Sequence, residues 1–254
     1  MITFDSVQQE IEWARSNLNR AGILLDQYVE SQPFSLVIED DAETGGKIHK
    51  IKRMVDPPTE IGHLIRNSIL DLKHSFDRSL HVAAFTAGRE DFNKNYPWSE
   101  NVAGLKAILR SRQSKNSTSL PLNIIKEIFR QKPYSGEKMP ISSRYLVREM
   151  AQMANNKHSI GFEFVARPSG TMISGFMSYN ASISFGTWDA VNKESVFVRV
   201  WPGGHAAYGQ TSISVDIFFK RDGPIGKVPA SVALREFLKS AQMSLEGFQR
   251  VCGV

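Results

Sequence analysis

The chain has 254 residues, 41% of them hydrophobic and 22% charged, with a formal net charge of +5. That length allows one large domain or two small ones with a proper core, and the composition is ordinary for a soluble globular protein. A single cysteine, Cys252, rules out a disulfide framework and fits a reducing compartment. The first residues lack a basic stretch followed by an apolar core, and no apolar run approaches the roughly 20 residues that span a bilayer. A cytoplasmic location away from the membrane is therefore expected, and the modest positive charge favours anionic partners.

A helix over 6–31 is predicted first, capped by Asp5 or Ser6. Its apolar positions Val7, Ile11, Ala14, Leu18, Ala21, Leu25 and Tyr28 alternate in steps of four and three, the narrow seam of packed antiparallel helices. Two β-rich runs over 34–55 flank Gly45-Gly46 and read as a hairpin. Asp56-Pro57-Pro58 stops the hairpin, and a second helix over 60–85 follows, with Thr59 as its cap. One face of that helix carries Ile61, Ile65, Ile69, Leu72, Phe76, Leu80 and Ala83, and the opposite arc carries His63, Asn67, Asp71, His74, Arg78 and His81. This antiparallel pair, joined by the hairpin, is the frame of the N-terminal half.

Arg89 to Trp98 reads as a polar loop, Ser99 to Leu109 as a short helix, and 110–119 as an exposed basic connector. Leu120 to Arg130 is a further helix with Pro121 in its first turn. A Lys-Pro-Tyr turn leads to a helix opened by Ser142 or Ser143 that buries Leu146, Met150 and Met153 and ends near Asn155-Asn156. From Ser159 to Lys220 the period shortens towards two, and about four antiparallel strands are expected, separated by Pro-Ser-Gly, by 188–193 and by Pro-Gly-Gly-His. Pro229 and Ser231 open a last helix whose Val232, Phe237, Leu238, Leu245 and Phe248 form an apolar face. The expected class is α+β: an N-terminal helical bundle with an inserted β-hairpin, over 1–157, and a C-terminal antiparallel sheet covered by a C-terminal helix, over 158–254, the two sharing one core if they are not separate.

Three short motifs in this order carry a resemblance. They are Leu72-Lys73-His74-Ser75-Phe76-Asp77-Arg78, the turn Gln131-Lys132-Pro133-Tyr134, and Asn156-Lys157-His158. Together with the order of elements they resemble a family of uncharacterised bacterial proteins with a helical first half, an inserted hairpin and a β-rich second half. Lys73 stands where that family tends to have Arg, and Arg78 where it has His. More loosely, the helical layout is similar to HEPN-type bundles, many of which are ribonucleases with an Arg followed by four to six residues and a His. Arg66 and His74 are separated by seven residues and Arg78 and His81 by two, so the strict nuclease motif is absent.

The candidate catalytic residues are His74, Asp77, Arg78, His81 and His158. A carboxylate one helical turn from a histidine orients the ring and stabilises its charged form, as an acid/base pair requires. The ordinary alternative is a solvated face laced with i,i+4 ion pairs. His158, beside Lys157 at a helix-to-strand junction, suits either a catalytic role or the satisfaction of helix-end carbonyls. Arg110, Arg112, Lys115, Lys126, Arg130 and Lys132 are the densest basic region and the candidate nucleic-acid-binding residues. Trp201-Pro202-Gly203-Gly204-His205 precedes no helix and reads as a strand connection rather than a phosphate loop. No metal spacing and no cofactor motif is present, and Cys252 lacks an activating neighbour. Three functions follow as expectations: a nucleic-acid-associated, HEPN-like effector acting on RNA or DNA in a stress or phage response; a ligand-binding module; and an interaction protein that forms a homodimer through its N-terminal helices.

Overall fold

A computed structural model describes residues 3–89, 95–115, 120–134, 143–155, 163–183, 186–221 and 224–254; the side chains of 112–115, 143 and 224 are outside this description. The elements are α1 (Phe4–Glu30), β1 (Phe34–Asp40), β2 (Lys47–Arg53), α2 (Thr59–Thr86), α3 (Val102–Lys115), α4 (Leu122–Gln131), α5 (Ser143–Asn155), β3 (Phe164–Ile173), β4 (Met177–Ile183), β5 (Glu194–Ala207), β6 (Thr211–Phe219) and α6 (Ala230–Cys252). The class is α+β, helical in its first half around an inserted hairpin and β-rich in its second half up to the final helix. No described helix is long and apolar enough to cross a membrane.

Two compact units are interleaved along the chain rather than divided at residue 157. One comprises 1–21, 62–163 and 219–254, the other 22–61 and 164–218. The physical reason is strand pairing. The hairpin does not stand alone: β2 pairs antiparallel with β5 as well as with β1, giving a four-stranded sheet in the order β1-β2-β5-β4, while β3 pairs with β6.

The seams predicted from periodicity supply most of the buried positions of α1 and α2, with Leu18 and Leu25 of α1 only half-buried. Val7, Ile11 and Ala14 of α1 are fully buried, and all seven apolar-stripe residues of α2 are buried. Small residues let the two helices approach: the buried Ser68 hydroxyl lies 3.1 Å from the Ala14 carbonyl oxygen and 2.9 Å from that of Leu64. Further along α2, Arg78 pairs with Glu10, earlier on α1, so the contacts run in opposite chain directions, as an antiparallel pair requires. The cap of α1 is Thr3, whose hydroxyl accepts the Ser6 N–H at 3.3 Å while Ser6 Oγ accepts the Thr3 N–H at 3.1 Å, a reciprocal capping box rather than a cap at Asp5 or Ser6. The region 110–115, expected as a connector, continues α3. On α6, Phe237, Leu245 and Phe248 are buried, but Val232 faces outwards.

The sheet unit packs Ile51, Phe197, Val198 and Val200 together, with Phe34, Ile173, Tyr208 and Ile213 against them. Its hairpin loop is closed by Asp41, whose carbonyl accepts the Gly45 N–H at 2.7 Å and whose N–H donates to the Gly46 carbonyl at 2.9 Å. A side chain at Gly46 would meet the Val200 carbonyl oxygen at 2.0 Å, so glycine is required there. Two sequence-read separators lie inside strands. Pro168-Ser169-Gly170 falls within β3, which among the described residues pairs with β6 alone, and a strand at a sheet edge tolerates a missing N–H. Pro202-Gly203-Gly204-His205 falls within β5, opposite a register shift between Tyr179 and Ala181 of β4. This bulge absorbs the irregular residues without ending the strand.

Candidate functional site

The helical unit holds a cavity of about 300 Å³. It is built where α2, the segment 96–98, the end of α4 with its following turn, the start of α5 and the middle of α6 meet. Its base is aromatic. Phe76 and Tyr96 are each 3% exposed, and Trp98 is half-buried above them. The ring centroids lie 5.1 Å apart for Phe76 and Tyr96, 4.9 Å for Phe76 and Trp98 and 4.8 Å for Tyr96 and Trp98, and Phe76 stacks on Phe237 of α6 at 5.7 Å. These tilted and edge-on arrangements suit the ring quadrupoles and make the base rigid. Tyr134 supplies a further ring to the lining.

The aromatic segment is held by named polar contacts. Asp77 Oδ1 accepts the Tyr96 N–H at 2.7 Å, and its Oδ2 takes the Lys73 ammonium at 2.6 Å. The Tyr96 hydroxyl donates to Gln131 Oε1 at 2.5 Å, which also accepts the Ser244 hydroxyl at 2.8 Å. The Ser99 N–H donates to the Pro133 carbonyl at 3.0 Å, tying the segment to the turn after α4. Lys132 closes that turn in a left-handed conformation, its N–H on the Phe129 carbonyl. Burial, with the nearby negative charge of Glu127, pushes the Tyr96 phenol far above its ordinary range, so it stays a neutral donor.

The rim is cationic. Among the described residues, Arg130, Lys132, Arg144 and Lys239 line the cavity against one carboxylate, Glu236. Arg130 is committed to the buried Glu127: Nε donates to Oε2 at 2.7 Å and Nη2 to Oε1 at 2.6 Å, a bidentate pair. Burial pushes the Glu127 carboxyl up, but the bonds from Arg130 and Gln131 outweigh it and hold the group below its ordinary value. Gly247 makes room for this carboxylate, since a Cβ there would lie 1.9 Å from Glu127 Oε1. Lys132, Arg144 and Lys239 have no carboxylate partner among the described residues.

The sequence-read candidates fall in different places. Arg130 and Lys132 line the cavity. Arg110 and Lys126 are exposed on α3 and α4 of the same unit; Arg112 and Lys115 lie on α3, with side chains beyond the described set. Asp77 stands one contact behind the cavity, through Tyr96. His74 is exposed on α2, His81 is half-buried, and Arg78 is engaged by Glu10. None of these three lines the cavity. His158 lies outside the described residues. Among the described residues there is no cluster of three His, Cys, Asp or Glu side chains that would hold a metal ion.

Sequence reasoning missed Tyr96, Trp98, Arg144, Glu236 and Lys239. One signal was legible: Glu236, Lys239, Ser240 and Met243 recur at i, i+3, i+4 and i+7, a second stripe on the last helix beside its apolar one. A second was the aromatic pair inside Asn95-Tyr96-Pro97-Trp98, too apolar for a solvated loop.

Comparison with family models, curated proteins and solved structures found no match to this chain.

Proposed function

We propose that the helical unit is a binding module for a phosphate-bearing, nucleic-acid-class partner, held at the cationic rim of its aromatic cavity. One observation carries this reading: Lys132, Arg144 and Lys239 line one concave surface and have no carboxylate partner among the described residues. Cations left unpaired around a cavity concentrate field where low-dielectric walls exclude water, and phosphate oxygens answer that field. The aromatic base adds a surface on which ring systems stack. Arg110 and Lys126 are further exposed cations of the same unit. This reading requires neither catalysis nor a metal.

The test is anisotropy with fluorescein-labelled single-stranded RNA and DNA at 50 and 200 mM salt, with unlabelled pyrophosphate as competitor. Binding that weakens with salt, is displaced by pyrophosphate, and falls about tenfold in Lys239→Ala or Arg144→Ala supports the proposal. Binding by neither the oligonucleotides nor pyrophosphate at low salt overturns it, as does binding indifferent to both substitutions.

A further inference from the structure

Glu236 is at odds with a simple anion site. It is a carboxylate on the lining of a cavity whose other charged groups, among the described residues, are cations, and it has no hydrogen-bond or ion-pair partner among those residues. Lys239 lies one turn further along α6, and the two are not paired. An unpaired carboxylate beside a phosphate repels it. Such a group earns its place only if the ligand presents N–H or O–H donors to it, since an ionised carboxylate accepts and never donates.

Three requirements then meet in one ligand. It carries phosphate for Lys132, Arg144 and Lys239. It carries a flat ring for Trp98 and Tyr134, the two half-buried rings above the packed base. It carries a pair of adjacent donors for Glu236. The cavity volume of about 300 Å³ is at the small end for ligand sites and suits one such unit. Resting on the reading above, we propose that the cavity takes a single ribonucleotide unit and that Glu236 is its specificity residue. Its carboxylate accepts either the two hydroxyls of the ribose or the N–H edge of guanine.

The experiment is calorimetric titration of the full chain with AMP, GMP, dAMP, dGMP and inorganic pyrophosphate, repeated with Glu236→Gln. The expected result is that a ribonucleotide binds at least about tenfold more tightly than pyrophosphate, the scale of one charge-assisted hydrogen-bonded contact. A ribose reading predicts AMP and GMP above their deoxy forms; a guanine reading predicts GMP and dGMP above AMP and dAMP. In Glu236→Gln that preference collapses while pyrophosphate binds as well as before or better, which also shows that the variant is folded. Pyrophosphate binding as tightly as every nucleotide, or a preference untouched in Glu236→Gln, overturns the inference and leaves the anion site standing. If neither pyrophosphate nor any nucleotide binds, the inference and the reading beneath it both fall.

Discussion

The carboxylate of Asp77 accepts the backbone N–H of Tyr96 at 2.7 Å, linking a polar turn of α2 to the aromatic segment at the base of the cavity. The contact gives Asp77 a task that its sequence neighbours do not reveal. Its second oxygen is taken by Lys73, so both oxygens are engaged in holding structure.

Removing that carboxylate should therefore cost stability. Asp77→Ala leaves the Tyr96 N–H and the Lys73 ammonium without their acceptor and should lower unfolding free energy by about 2–3 kcal/mol. Asp77→Asn keeps one acceptor oxygen for Tyr96 and should cost about half of that. Denaturant titration of both variants measures the difference; equal and near-zero losses would show that the contact does not hold the segment.

Phe76 touches Tyr96, Trp98 and Phe237 at once. Phe76→Ala should cost about 3–5 kcal/mol, the range for a large aromatic deleted from a core, with the cavity base collapsing. Denaturant unfolding reads the stability, and near-ultraviolet circular dichroism reads the loss of ring packing.

Gly247→Ala tests the support of Arg130. The added methyl would meet Glu127 Oε1 at 1.9 Å, so the carboxylate must shift and Arg130 with it. The expected loss is about 1–3 kcal/mol, as for overpacking, with weaker pyrophosphate binding than wild type. An unchanged melting temperature would contradict the packing at this position.

The sheet unit carries a cross-strand triad: Lys50 of β2 meets Glu39 of β1 at 2.7 Å and Glu194 of β5 at 2.8 Å. Lys50→Met strands the largely buried Glu194 and should cost about 1–3 kcal/mol, softened by Lys52 at 3.8 Å. The double change Lys50→Met with Glu194→Leu should recover much of the loss, because no uncompensated charge remains. A double-mutant cycle by thermal denaturation decides.

His49 is buried in the sheet unit, its Nδ1 3.0 Å from the Tyr208 hydroxyl and its ring edge-on to Phe197. Burial, then the nearby Lys47, pulls its pKa below the ordinary histidine value. The folded state thus favours the neutral ring, and the unfolded chain takes up the proton first. The stability from His49 is fully present above about pH 6.5 and is lost as pH falls below it towards the lowered folded value. Melting temperature should drop between pH 7.5 and 5.5, and His49→Gln should flatten that drop.

The parts of this fold that periodicity can encode were legible. The α2 stripe is buried at every predicted position, and the two N-terminal helices meet as their seams require. What escaped depends on partners far away in sequence. Tyr96 looks like loop until Asp77 and Gln131 are placed around it. The pairing of β2 with β5 is invisible to local pattern, since either strand reads as complete with one neighbour. Proline and glycine signals misled twice, in β3 and β5, where an open edge and a bulge accommodate residues that usually end strands. At the site, the basic residues Arg130 and Lys132 were legible as charge, but the carboxylate that commits one of them, Glu127, was not.

The chain passes between its two units after Ala21, Ile61, Glu163 and Phe218. Each unit is therefore completed only by a segment synthesised after part of the other. Phe237, on the last element, is the ring that stacks on Phe76, so the helical core stays open until α6 has been made. Closure of such distant chain segments is slow relative to local helix formation. Phe76 of the α2 stripe therefore waits for its stacking partner until nearly the whole chain has been made, although α1, its earlier neighbour, is already there to meet α2.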